Sequence, residues 1–553
     1  MIINVDKTNL NKLLGVPNRQ LTIPAYQRPY AWEAEQVDEL WHDIVETLGS
    51  NHFMGSVVLC SPDQARPEVI DGQQRLTTIT LLLALIRDQY QKLKPDLVGR
   101  VQQFLQNTYA EPDLRFKFRP GNANFRVFTD FILCAPNDAS RREWATVRQL
   151  NSHELNRNKR MIENTERLMG YLTQFLAASD NPLQALEQIE RKIMTGLEFV
   201  VIDVPDIANA FIIFETLNDR GLALSAGDLL KNHLLAAAAK THESVEALAE
   251  DWDSIIDNLE GGDITRFLRH YLLTKYAQVQ KDDVFTLFKK EVGIRGVKLL
   301  IKDLKQMSCI YGQFIKPELV EDKAVREVYQ NLSTLRASMC YSALLAASAT
   351  LAGQALCDFA RLCEILTFRY STICSKDSKE LERFYHQAAK ILAGQGSSGV
   401  MEACNILKAA SPSSEEFVLA FCNQSMGRQY IVNYIFRGIE NYLSPEEKTL
   451  QNTFNVHIEH IMPQTLSSAW REELGETVDQ HDLYVNRWGN LTLLGGKLNI
   501  TASNQPFTDK VALYRQSKIA LARELAECEC WGFEQIDARQ KRLAEIAEKI
   551  WGI

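Results

Sequence analysis

Glu459 and His460 stand side by side in the run Val456-His457-Ile458-Glu459-His460-Ile461-Met462-Pro463, which is followed by Gly489-Asn490-Leu491-Thr492-Leu493-Leu494 and then by Asn499. Cleaving a phosphodiester needs a water made nucleophilic, a cation on the phosphoryl oxygens and a fixed geometry between them. By residue type, His460 can be the general base, and Glu459 and the amide oxygen of Asn499 can hold a hard cation. Asn490 can orient the histidine loop by hydrogen bonding. Amide and carboxylate oxygens suit Mg²⁺ better than Zn²⁺. His457 would share a strand face with Glu459, as a further catalytic or metal-binding group or as a packed histidine. Neighbouring side chains on a strand face opposite ways, so Glu459 and His460 serve one site only at a strand end, and Pro463 is consistent with the strand stopping there.

A second cluster lies near the other end. Val69-Ile70-Asp71-Gly72-Gln73-Gln74-Arg75-Leu76-Thr77-Thr78 reads as a strand, a tight turn and a helix start. Gly72 permits close backbone approach, the first helical amides point at the turn, and Arg75 adds a bidentate anion ligand, which together make a phosphate cradle. It is not a Walker loop, and on spacing alone it reads as a structural turn as often as a site. Upstream, Tyr26, Gln27, Arg28, Tyr30 and Trp32 gather aromatic, amide and guanidinium groups in one short loop, a composition able to stack on a base and bind its edge. Asn218-Asp219-Arg220-Gly221 and Asp228-Leu229-Leu230-Lys231-Asn232 place polar groups at helix ends, where either can be a solvated cap.

The elements that must position these residues follow from periodicity. Strands are expected at Phe53–Leu59, Glu68–Ile70 and Leu197–Val204, and a helix at Leu76–Leu93. A helix over Ala208–Leu217 stops at Gly221, and Ser225 starts another with Asp228 in a variant capping box. From about 236 to 440 the pattern is helical, as in Leu344–Leu351 and Ala388–Leu392; β-like segments return from about 441, accompanied by Arg487, Lys497, Lys510, Arg515 and Lys518. The reading is an α+β multidomain chain: a first domain over 1–235, a helical connector over 236–440 and a third domain over 441–553.

A chain of 553 residues exceeds one ordinary hydrophobic core. Its net charge of −9 argues against a whole-surface grip on nucleic acid but permits a local basic groove. The start Met1-Ile2-Ile3-Asn4 lacks a signal-peptide pattern, and the apolar stretch Ile79–Ile86 is far short of a bilayer span, so a cytoplasmic location is expected. The eleven cysteines form no CxxC pair and are expected to be reduced and mostly buried.

The ordered set Glu459-His460, Pro463, Asn490 and Asn499 resembles the His-Me finger (HNH) nuclease signature. It looks like the variant in the C-terminal domain of GmrSD-type modification-dependent restriction enzymes, whose tail pattern is matched here by Phe507, Lys510, Tyr514 and Ser517. The N-terminal motifs IPxYQRPYxW, DGQQRLTT and FETLNDRGxxLSxxDLLKN resemble the N-terminal domain of the same family, also seen in the phage-defence proteins SspE and BrxU. The resemblance implies a ParB/sulfiredoxin-like fold that binds and hydrolyses an NTP (GTP, ATP or another) at Asp71, Gly72, Gln73, Gln74, Arg75 and Thr77, with Asn218, Arg220 and Lys231 as further contacts. It implies DNA-modification sensing at the Tyr26–Trp32 loop, DNA-backbone contacts at Arg487, Lys497 and Lys510, and Mg²⁺-dependent cleavage or nicking of modified phage DNA. Two rival readings are a nucleotide-gated abortive-infection effector acting on RNA or host DNA, and a non-enzymatic nucleotide-gated adaptor. No membrane partner is expected, and homo-oligomerisation is left open.

Overall fold

The computed structural model describes residues 4–553 apart from 25, 28, 108–113, 121–124, 208, 211, 212, 214–224, 242, 426 and 445–455. The chain forms two compact units, Met1–Ser254 with Phe288–Lys302, and Ile255–Leu287 with Asp303–Ile553.

The first unit is built on a six-stranded mixed sheet. Its strands are β1 (Asn4–Asn9), β2 (Leu21–Thr22), β3 (His52–Cys60), β4 (Glu68–Asp71), β5 (Phe118–Arg119) and β6 (Leu197–Val204), in the order β1-β6-β3-β4-β2-β5. The three expected strands are β3, β4 and β6. β3 pairs parallel with β6 and antiparallel with β4, and its second half, Val57 to Cys60, is buried on both faces, which explains the unbroken apolar run there. Helix α1 (Gln73–Leu93) begins one residue after the β4 strand's neighbour Gly72 and is buried from Leu76 to Ile86 without a polar face. A helix apolar all round belongs inside, and α1 is the axis of this unit's core. The long helix α2 (Ser152–Ala177) packs against it. In α3 (Ala226–Lys240) the Ser225 hydroxyl accepts from the Asp228 amide, as the capping pattern predicts.

The second unit is helical apart from one two-stranded antiparallel sheet, β7 (Val456–His460) with β8 (Leu491–Gly495). Around it stand α4 (Gln429–Leu443), α5 (Gly496–Ala502), α6 (Phe507–Gln516) and α7 (Phe533–Trp551). The expected helical stretches lie in Tyr341–Thr350 and Ser378–Gln395, in the same unit as the hairpin. The buried Glu440 carboxylate of α4 accepts from the amides of Ala520 and Leu521 at 2.8 and 3.0 Å, and Gln540 of α7 donates to the carbonyls of Phe421 and Gln424. These bonds satisfy backbone groups that would otherwise be stranded in the interior, and they tie the hairpin region to helices that precede it. Four cysteines, Cys60, Cys134, Cys340 and Cys363, are buried; the others are partly or fully exposed, so the expectation that most are buried fails.

Candidate functional site

β7 ends at His460, and the chain turns through Ile461 and Met462 to Pro463. The turn is held by Asn490, which has no exposed surface: its amide oxygen accepts from the Met462 amide at 2.8 Å and the Trp531 indole at 3.0 Å, and its amide nitrogen donates to the carbonyls of Met462 and Val485. Asn490 is thus a fully satisfied strut, the orienting role its sequence position predicts, and it cannot touch a substrate. Gly489 beside it must be glycine, since a Cβ there would lie 2.1 Å from the Ile536 carbonyl oxygen.

The strut presents His460 half-buried at the strand end. His460 Nε2 lies 3.1 Å from Asn486 Oδ1 and 3.5 Å from the Gln464 side-chain nitrogen; in the tautomer that carries its proton on Nε2 it donates to Asn486, and Nδ1 is the basic nitrogen. Burial, the largest influence, holds the imidazole below its ordinary value, the Lys510 charge acts the same way, and the Asn486 bond opposes them. A neutral imidazole in that tautomer suits proton abstraction near neutral pH. His457 is exposed on β7, so of its two readings, a further catalytic or metal-binding group or a packed histidine, the packed one does not hold.

Glu459 departs from expectation. Its side chain points inward, where Lys510 Nζ meets Oε1 at 2.7 Å and also donates to the carbonyls of His460 and Ile461. The pair is buried on both sides, with side-chain exposures of 7 % and 0 %. Burial raises the Glu459 carboxyl against the pull of Lys510, and lowers the Lys510 ammonium against the pull of Glu459. Phe507, Lys510 and Tyr514 share one buried face of α6, with spacings of three and four residues, and Tyr514 stands beside the same carboxylate. In this arrangement Glu459 is neutralised internally rather than offered to a cation. Asn499, inside α5 rather than ahead of a helix, has a buried Oδ1 with no hydrogen-bond partner. An orphaned amide oxygen fits a divalent cation that keeps most of its water, as Mg²⁺ does; the Glu459 oxygen bound by Lys510 does not. Among the described residues no cluster of three His, Cys, Asp or Glu side chains forms a metal cage.

Of the expected DNA-backbone residues, Lys510 is interior, and Arg487 is spent on Asp537 Oδ1 at 2.5 Å and the Cys422 carbonyl while lying over the Tyr484 ring. Lys497 is exposed and joins no ion pair among the described residues; Arg515 and Lys518 share that condition and make up the solvent-facing basic set.

In the first unit the Asp71–Arg75 turn forms as expected. Gly72 caps α1 at φ +88°, where a Cβ would press on Val57 at 3.0 Å, and the first turn of α1 carries no acidic residue and no side-chain cap. Its leading amides are therefore available to an anion. Gln73 is buried with an unpartnered Oε1. Gln74 instead binds the loop, accepting from the Ala31 amide at 2.7 Å and donating to the Pro29 carbonyl. Arg75 donates to the Ser56 carbonyl and lies near Asp71, so part of its guanidinium is committed. The Thr77 hydroxyl is buried on the Gln73 carbonyl and is not a ligand group as it stands. Lys231 pairs with Asp253 Oδ1 at 3.1 Å. Asn218, Arg220 and Arg28 lie outside the described residues.

The aromatic loop packs onto this turn. Gln27 donates to the Ile70 carbonyl, Tyr26 to Glu68, and the Tyr30 hydroxyl meets Thr78 Oγ1 at 2.8 Å. Tyr26 and Tyr30 are 5 % and 8 % exposed and Trp32 packs partly against the core, so both tyrosines are core groups rather than the stacking platform their composition suggests. The loop and the turn are one hydrogen-bonded constellation.

Residues 10–235 match the GmrSD restriction endonuclease N-terminal domain, and residues 411–546 match the GmrSD restriction endonuclease C-terminal domain. The chain belongs to the GmrSD restriction endonuclease family. It therefore carries both halves of a restriction endonuclease that acts on DNA, with the turn and aromatic loop in the first match and the His460 hairpin in the second. No curated protein matches the chain.

Sequence reasoning missed Asn486, Lys510 as the partner of Glu459, and the Trp531 and Gln540 bonds to the Gly489-Asn490 loop. Asn486 had a signal, an amide four residues before Asn490. Trp531 and Gln540 come from just before α7 and from α7 itself, far along the chain, and had none.

Proposed function

We propose that this GmrSD-family protein is a nucleotide-regulated, Mg²⁺-dependent endonuclease that cleaves or nicks modified foreign DNA, such as phage DNA carrying glucosylated hydroxymethylcytosine or phosphorothioate linkages. The observation that carries the nuclease reading is His460, an imidazole that burial keeps neutral, held at a strand end by the Asn490 strut with Asn486 Oδ1 3.1 Å from its Nε2. In this reading Nδ1 of His460 takes the proton of the attacking water, and Asn486 keeps the ring turned to receive it. Mg²⁺, when bound at Asn499, would supply positive charge to the phosphoryl oxygens. Lys497, Arg515 and Lys518 would draw the phosphate backbone toward this unit, a grip that weakens with salt.

At the other site the free amides of α1 and the guanidinium of Arg75 would take the phosphates of an NTP, and the unpartnered Gln73 oxygen would accept from its base or sugar. Gln74 links that turn to the Pro29–Trp32 loop, which gives the nucleotide a route to the loop proposed to read the DNA modification. The test is digestion of matched modified and unmodified DNAs by the full chain with Mg²⁺ and each NTP in turn. His460→Ala should lose cleavage about 10²–10⁴-fold while NTP turnover persists. Undiminished cleavage by His460→Ala overturns the reading.

A further inference from the structure

The second unit contains a cavity of about 450 Å³, within the range of small-molecule sites, lined by Arg336, Ser371, Arg428, Tyr430 and Trp488 among others and, among the described residues, by no carboxylate. Both arginines are exposed, and neither joins an ion pair among the described residues. They converge on one ring: the Arg336 guanidinium lies 5.2 Å from the Tyr430 centroid, and Arg428 donates to the Tyr430 hydroxyl at 3.0 Å. Arg336 stands at φ +55° as the left-handed residue that closes the helix Lys323–Thr334, whose end is tied by the Ala337 amide on the Leu332 carbonyl.

Two buried polar groups in the wall lack partners. Trp488 is 3 % exposed, and its Nε1–H reaches no acceptor; the buried Ser371 hydroxyl is likewise unsatisfied. An unpartnered buried donor costs about 1–3 kcal/mol unless something fills the space beside it. Arg428 is also the N-cap of α4, whose first turn has no acidic residue and no side-chain cap; the Ile431 and Val432 amides bond the Arg428 carbonyl, so the Gln429 and Tyr430 amides and the helix dipole add to the positive field. Guanidinium, indole N–H, hydroxyl and helix amides are all hydrogen-bond donors, and an aromatic face stands among them.

We propose that this cavity binds a nucleotide, with its phosphate on Arg336, Arg428 and the start of α4 and with the Trp488 N–H as a further donor. The site is separate from the Asp71–Arg75 turn and lies two residues along the chain from the Asn490 strut. The occupant is either a free nucleotide or one nucleotide unit of a DNA strand, and both present the same phosphate.

Equilibrium dialysis of the full chain with labelled dAMP, and separately with a 5′-phosphorylated deoxythymidine tetramer, tests the proposal, with inorganic phosphate as competitor. The Arg336→Ala/Arg428→Ala variant should bind one dAMP or tetramer fewer per chain than the parent, or bind that one at least tenfold more weakly. Trp488→Phe, which keeps an aromatic ring against Phe421 but loses the N–H donor and one ring of the indole, should weaken the same binding about tenfold. Tighter dAMP than tetramer identifies a free nucleotide, and the reverse identifies a strand. Both arginines are exposed, so the melting temperature should hold; if it falls, Arg428→Gln alone replaces the double variant. Equal stoichiometry and affinity in parent and arginine variants, or no binding of either probe at millimolar concentration, overturns the proposal.

Discussion

Removing the positive half of the Glu459–Lys510 pair should be among the most damaging single changes in the second unit. Lys510→Met keeps the volume and the apolar stem but leaves the Glu459 carboxylate, the His460 carbonyl and the Ile461 carbonyl without the ammonium they share. Breaking a buried pair from one side costs about 3–5 kcal/mol, because the surviving charge is desolvated and uncompensated. For a unit of this size that corresponds to a fall of roughly 10 °C in its melting temperature. The deficit has a pH signature. A carboxyl whose folded value is raised loses stability as pH climbs through that value, so the variant should be closest to the parent at about pH 5 and furthest from it at about pH 8. Burial outweighs the mutual attraction for both partners, so Glu459→Leu/Lys510→Met should recover most of the loss, as apolar replacements of buried pairs do. Differential scanning calorimetry of the full chain reads the transition of this unit. A Lys510→Met melting temperature equal to the parent's, or a double variant no better than the single, refutes the internal-pair assignment and returns Glu459 to the candidate metal ligands.

Because burial keeps the His460 imidazole below its ordinary value, the acid limb of kcat/KM for DNA cleavage should fall below about pH 6.5. Asn486→Asp places a carboxylate on the ring and should move that limb upward; an unmoved limb detaches Asn486 from the base. Gly489→Ala should lose the soluble second unit or melt it early by circular dichroism, since its Cβ meets the Ile536 carbonyl oxygen at 2.1 Å; normal stability would mean that the loop has room to shift. Gln74→Ala frees the Ala31 amide and the Pro29 carbonyl, so hydrogen exchange over residues 29–32 should accelerate while β3 and β4 stay protected. Lys497→Gln/Arg515→Gln/Lys518→Gln should weaken DNA binding and flatten its salt dependence by about three phosphate contacts, a change absent if these side chains never meet DNA.

Local pattern alone determined the strands β3, β4 and β6, the helix α1, the glycine turn at Gly72 and the strand end at His460, because each rests on periodicity or on one residue's conformational limits. What the sequence could not determine was which groups of like chemistry face inward. Glu459, Lys510, Tyr26 and Tyr30 carry the residue types of a reactive or binding surface, yet all four are buried, because partners from distant segments satisfy them: α6 for Glu459, the β7 turn for Lys510, β4 for Tyr26 and α1 for Tyr30. A side chain's direction at a strand end or in a loop depends on what packs above it, and that is set by contacts many residues away. Lys497 and Lys510 lie thirteen positions apart with the same charge, and only tertiary packing left one in water and sealed the other against a carboxylate.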